Sequence, residues 1–177
     1  MNYRHCPLCA KPLGPRAHAG SLDVPRMSCP DEACGFVHWD NPTPVVAAVV
    51  EHEGELILAR NKAWPMPFFA LITGFLERAD ASPEDAVKRE VKEELGLDAT
   101  AAHFIGHYMF DRQNQLIVAY HVPATGVITI GEELSEYKRI APEKARYWPV
   151  ATGLALRDWL RSRGLDPQPT DLPAKPG

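Results

Sequence analysis

No apolar run in these 177 residues approaches the 18 or more that a membrane-spanning helix needs, and Met1-Asn2-Tyr3-Arg4 does not open a secretory signal. There is no surplus of one charge either. The 19 Lys and Arg against 23 Asp and Glu leave a formal net charge of −4, which gives no general attraction to nucleic acid or to an anionic membrane. No internal repeat is present, and cysteine is missing after residue 34. These absences lead to the expectation of a soluble cytoplasmic protein. What is there is 45% hydrophobic, enough for a packed core, in a length that suits one ordinary domain plus a small module.

The cysteines are the first positive signal. Cys6-Pro7-Leu8-Cys9 and Cys29-Pro30-Asp31-Glu32-Ala33-Cys34-Gly35 form two short hooks. A tetrahedral zinc site needs four thiolates brought together by two tight turns, and hooks of this kind supply them. Two disulfides are the alternative, which a reducing cytosol disfavours. The segment resembles a zinc ribbon. Four cysteines close a coordination sphere, so the expected role of Cys6, Cys9, Cys29 and Cys34 is structural, and His5, His18 and His38 are superfluous as ligands. In residues 1–40, Arg4, Lys11, Arg16 and Arg26 cancel against Asp23, Asp31, Glu32 and Asp40. A module gripping a nucleic-acid backbone would be basic. The expectation is therefore a stabiliser or a contact between two copies of the chain.

The second signal is the stretch from Gly74 to Leu97. Ser82 suits an N-cap, Pro83 the first helical position, and Glu84 and Asp85 the positive end of the helix dipole. Gly96 after Leu95 is a left-handed stop, which predicts a helix over 83–95. Val87, Val91 and Leu95 form its core stripe. Glu90, Glu93 and Glu94 project from one side, and Ala86 one turn earlier leaves room for something to approach. Like charges so spaced repel weakly in an isolated helix, whereas a hard divalent cation would draw them together. A solvated acidic face, with Arg89 paired to Glu93 and Glu84 to Lys88, is the alternative.

This stretch resembles the signature of the Nudix hydrolase family, G-x5-E-x7-R-E-U-x-E-E-x-G-U. Arg89, Glu90, Val91, Glu93, Glu94, Gly96 and Leu97 match its second half at every specified position, and Gly74 matches its opening. Two departures stand out. Gly74 and Arg89 are one residue further apart than the pattern requires, and Asp80 occupies the place of the first Glu. Either Asp80 or Glu77 then serves as the loop acid. The resemblance implies an α/β fold, an α/β/α sandwich with a mixed sheet, preceded here by the ribbon. It implies Mg2+ or Mn2+ held by Glu90, Glu93 and Glu94, with Glu93 as ligand or general base. Arg89 would orient these acids. Several family members recruit a late Glu as the base, and Glu133, in Glu-Leu-Ser-Glu, is the candidate.

Elsewhere the pattern is coarser. Asp40 to Pro44 reads as a linker, separating a ribbon over 1–40 from a domain over 41–165. Val45–Glu51 is apolar and β-branched enough for a strand buried on both faces, with Leu56–Arg60 returning after a turn. Residues 70–73, 101–110 and 115–122 read as further strands, with a short one over 127–130 and an acidic loop or short helix over 131–136. A final helix spans roughly 151–163, and the proline-rich 166–177 reads as a disordered tail. Trp64, Phe110 and Arg112 are the candidates for meeting a nucleotide's base and phosphate.

A ribbon ahead of such a domain resembles the NADH pyrophosphatase branch, yet that branch's SQPWPFPxS signature is absent. Residues 107–115 read HYMFDRQNQ instead. The reading is therefore a metal-dependent hydrolase of a nucleoside diphosphate linked to another group, NADH and ADP-ribose being examples. Nucleic acid is not expected as a partner beyond capped RNA ends. The alternative is a non-catalytic nucleotide sensor on the same fold.

Overall fold

The computed structural model describes residues 3–18 and 24–171. The chain divides into two compact units, Met1–Pro42 and Thr43–Gly177. In the first, β1 (Gly14–Arg16), β2 (Arg26–Ser28) and β3 (Val37–His38) form an antiparallel sheet in that order. Its core is small: Cys6, Leu13 and Cys29, with Met27, Cys34 and Phe36 packed against them. So small a core leaves most of the unit's stability to be found elsewhere.

The second unit is organised around two long strands, β4 (Thr43–His52) and, later in the chain, β9 (Gln115–Thr125), which run parallel side by side. Each is shared by two partners on its other edge. β4 pairs near its start with β6 (Ile72–Phe75) and at its end with β5 (Glu55–Asn61). β9 pairs with β8 (His103–Phe110) and, further along, with β7 (Asp98–Ala99). β10 (Leu134–Ile140) completes the sheet against β5. Only the β4–β9 pair is parallel, so the sheet is mixed.

Alternation along β4 explains its continuous apolar run. Val46, Ala48 and Val50 face one core with Val87, Val91 and Leu95 of α1 (Pro83–Leu95). Val45, Ala47 and Val49 face the other, with Leu156, Trp159 and Leu160 of α2 (Thr152–Ser162). Burying each large apolar side chain contributes roughly 1.5–3 kcal/mol, which fixes α1 against the sheet. The ends of α1 follow its sequence. The Ser82 hydroxyl accepts from the Asp85 amide at 3.1 Å, and Gly96 takes φ 69°.

Several expectations need correction. Ala86 leaves no room for a guest: it is fully buried in the core beneath α1. Glu84 takes a hydrogen bond from the Tyr120 hydroxyl at 3.0 Å rather than pairing with Lys88. The strand expected over 70–73 is shifted to Ile72–Phe75. β9 runs on through Pro123 to Thr125, because β7 gives its last residues a partner. Residues 127–130 form no strand, while Leu134–Ile140, whose first part reads as loop or helix, is one. Its charged, mostly exposed side chains carry no alternation, since an edge strand is solvated on much of its surface. Finally, the chain beyond 165 is not free. Pro167 is buried, and Tyr147 and Pro169 form a parallel bridge, with the Thr170 amide donating to the Tyr147 carbonyl at 2.7 Å. The last part of the expected tail, 172–177, lies outside the described residues.

Candidate active site and cysteine centre

β6 delivers Gly74 and Phe75 to the mouth of the site, and the following loop brings Asp80 back against α1. Arg89 is the hub. Its Nε and Nη2 donate to the two oxygens of Asp80, each at 3.0 Å, in the bidentate geometry that suits a guanidinium. Nη2 also donates to the Phe75 carbonyl at 3.1 Å. Nη1 donates to Glu90 at 2.7 Å and to Glu93 at 3.0 Å. Those bonds engage all five N–H groups that an arginine has.

The choice between Asp80 and Glu77 is thereby answered geometrically. Asp80 is Arg89's partner, and its carboxylate also accepts from the Glu77 amide at 2.8 Å. Glu77 is among the residues that line the neighbouring cavity. Arg89 holds the Asp80 carboxyl below its ordinary pKa. Gly74 lies against the Glu90 carboxylate, which a Cβ at that position would overlap and push aside.

The helix acids differ in exposure. The Glu93 side chain is 58% exposed and that of Glu90 only 12%, while Glu94 is buried. Burial, reinforced by Glu90, Glu133 and Glu93, pushes the Glu94 carboxyl up to about 8. Burial likewise pushes Glu90 upward, opposed by Arg89. These carboxylates resist one another's ionisation, the situation a divalent cation relieves, and hard oxygen donors are what Mg2+ and Mn2+ take. The donor set fits such an ion. The acids are not gathered around a point, however. Among the described residues only the four cysteines form a group of three or more metal-ligand side chains with ligand atoms within 4.8 Å of one another.

Glu90, Glu93, Arg89 and Glu133 line one cavity of about 560 Å3. Trp64, Phe110 and Arg112 line it too, so all three residues singled out for substrate contact share a space with the acids. Trp64 is also part of an aromatic wall, 6.0 Å from Phe68, whose ring stands edge-on to Trp148 at 5.2 Å. Glu94 and Gly96 do not reach the cavity walls. Sequence reasoning missed Gln113, Gln115 and Trp148 as cavity residues. The glutamines sit beside Arg112 at the turn between β8 and β9, and that adjacency was the available signal.

In the first unit all four cysteines are free. Sγ of Cys6 lies 3.6 Å from that of Cys34, and Sγ of Cys9 lies 3.4 Å from that of Cys29. A disulfide would hold each pair near 2.05 Å, whereas tetrahedral zinc at about 2.3 Å from each sulfur sets neighbouring sulfurs about 3.8 Å apart. The cluster fits a structural zinc. The His18 imidazole is bonded to Ser28 at 2.7 Å, and among the described residues no histidine joins the cysteine group.

A family model described as the NUDIX domain matches residues 41–161. The chain is 29% identical over 148 residues to a protein of Stutzerimonas stutzeri (strain A1501) named NAD-capped RNA hydrolase NudC, covering 84% of this chain and 49% of that one. A protein of the same name from Mycobacterium tuberculosis is 38% identical over 89 residues, 49% of this chain and 28% of the relative. The chain thus spans about half or less of the length of these relatives. Among solved structures, a NUDIX hydrolase from Nitrosomonas europaea superposes with a TM-score of 0.75 at 20% identity, covering 96% of this chain and 97% of that one. That likeness is one of fold.

Proposed function

The chain belongs to the NUDIX domain family, and on that footing we propose that it is a divalent-cation-dependent hydrolase cleaving the pyrophosphate bond of a nucleoside diphosphate linked to a second group. The observation that carries this reading is the sharing of one cavity by the acids, their arginine and an aromatic wall. A cation held by Glu90, Glu93 and Glu94 would neutralise phosphate oxygens and lower the pKa of an attacking water.

The chain's own residues supply the rest. Arg89, fully engaged, fixes the rotamers of Glu90 and Glu93 so that both acids keep their direction when charge arrives. Asp80 anchors that guanidinium from the far side and stays ionised while doing so. Glu133, which lines the same cavity, accepts the proton that the water loses, and Glu93 is the second candidate for that step. Trp64 and Phe110 offer faces on which a base can stack, Gln113 and Gln115 offer amides to its edge, and Arg112 meets phosphate. The altered loop acid and the inserted residue are the two departures that keep a non-catalytic sensor in view; the bidentate bonding of Asp80 to Arg89 supports the hydrolase.

The names of the two relatives direct attention to NAD-type diphosphates, including capped RNA ends, while the absent SQPWPFPxS signature widens the field beyond them. No helix among the described residues is long and apolar enough to cross a membrane. The test is a screen of NADH, ADP-ribose, FAD, dinucleoside polyphosphates, nucleoside triphosphates and NAD-capped RNA with Mg2+ or Mn2+. Release of two phosphorylated products from one of them is expected. Tight binding with no turnover of any would instead establish the sensor.

A further inference from the structure

The segment 127–133, between β9 and β10, has no regular structure, yet it is fastened at both ends. On one side it lies along the last turn of α1. The Thr129 amide donates to the Leu95 carbonyl at 2.9 Å, and the Gly131 amide to the Glu94 carbonyl at 2.8 Å. Both acceptors belong to the last turn of a helix, where carbonyls lack intrahelical partners. On the other side it meets the end of β5. The Lys62 amide donates to the Glu133 carbonyl at 2.8 Å, Lys62 Nζ to the Glu132 carbonyl at 2.7 Å, and Asn61 Nδ2 to Glu133 Oε2 at 3.4 Å. The Asn61 amide is itself oriented, because its oxygen accepts from the Ala63 amide at 2.8 Å. Leu134, next in the chain, is buried in the core beneath α1.

Gly131 is the tight point of this span. A Cβ at that position would overlap the Glu93 carbonyl oxygen and lie 3.3 Å from the Glu94 Cα. Both neighbours are helix backbone, held by the packing of Val87, Val91 and Leu95, so the loop and not the helix must give. Two residues later stands Glu133. Glycine here is therefore a distance setting. It lets the acidic loop seat directly on the helix segment that carries Glu93 and Glu94.

We propose that Gly131 is a positioning residue for Glu133, fixing how closely that carboxylate approaches the acids of α1, with Asn61 steering its side chain from β5. This rests on the reading of Glu133 as proton acceptor. A positioned base loses much of its effect when displaced by about 1 Å, and a methyl group at 131 forces a displacement of that order.

The test is a double-mutant cycle with Gly131→Ala and Glu133→Gln, assayed with Mn2+ and the diphosphate that the screen turns over fastest. Gly131→Ala should lower kcat about 10- to 100-fold with KM changed less than about threefold. In the Glu133→Gln background it should cost less than about twofold more, because the residue it acts through is already disabled. Calorimetric Mn2+ affinity of Gly131→Ala should stay within about twofold of the parent, as the helix acids are untouched. An unchanged kcat in Gly131→Ala, or a full loss repeated in the Glu133→Gln background, overturns the proposal while leaving Glu133 as base. A near-normal rate in Glu133→Gln itself overturns the base reading and this inference together. Should Gly131→Ala not fold, Asn61→Ala replaces it: about a threefold loss is expected, absent when Glu133 is Gln, and an additive loss refutes the idea.

Discussion

Two regions of this molecule present side chains of the kinds that hold metal ions, in opposite states of readiness. Cys6, Cys9, Cys29 and Cys34 already converge, with ligand atoms within 4.8 Å of one another. Glu90 and Glu93 line a cavity with Glu94 outside its walls, and the first two are held by a guanidinium. The difference follows from what each group must do. Soft thiolates that complete a tetrahedron leave no position for a substrate, so convergence serves only to hold the chain together. A hard cation working on a diphosphate takes part of its coordination from the substrate, and a fully closed cage of protein oxygens would defeat that. Arg89 offsets the mutual repulsion of Glu90 and Glu93 without closing the site.

The contrast can be broken or sharpened by experiment. The largest effect should come from stripping metal from the cysteine unit. Structural zinc contributes about 10–16 kcal/mol in small thiolate domains, against a core of three buried side chains here. Chelation should abolish amide protection within residues 3–42, and metal analysis of the intact protein should find about one zinc per chain. Protection that survives chelation would put the cysteines on the same footing as the acids. Next, Glu93→Gln or Glu94→Gln should reduce kcat by about 10²- to 10⁴-fold while circular dichroism and melting temperature are preserved. Near-normal turnover would remove the helix from the reaction. A third, smaller effect is expected for Gly74→Ala, which forces the Glu90 carboxylate aside and should cost about 1–3 kcal/mol in denaturant titration, as overpacking does.

Acid gives the mildest separation. The Asp80 carboxyl has a folded pKa below its ordinary 3.8 because Arg89 favours the charged form. Its contribution to stability is therefore fully present above about pH 4 and lost as pH falls through the folded value. Protons compete for thiolates well above that range, so the cysteine unit should release metal first. A pH titration following zinc release and the melting of Thr43–Gly177 together would show two separate transitions. In Asp80→Asn the lower one should be diminished, and an unaltered lower transition would deny the ion pair any part in stability.

How far the sequence disclosed this arrangement depended on how local the determinant was. The boundaries of α1 were legible because Ser82, Pro83 and Gly96 act through bonds to their immediate neighbours. The cysteine convergence was legible because its two hooks are short. Ala86 was misread because helical spacing places it beside the acids, while its burial depends on strands remote in the chain. β10 was not anticipated for a related reason, since an exposed edge strand takes its order from β5 and not from its own alternation. The tie of Asp80 to Arg89 could be named as one of two options, and only the folded loop, with the Glu77 amide bonded to Asp80, distinguished them.

The pairing of Tyr147 with residues 168–170 bears on how the gene can be shortened. A truncation placed after Leu165 on the strength of proline content would leave the Tyr147 backbone without either bond and expose the surface that Pro167 covers. Trp148, the next residue, forms part of the wall of the cavity that Glu90 and Glu93 line. A stop codon after Thr170 keeps that support, whereas one five residues earlier removes the backbone bonds that hold the chain just before Trp148.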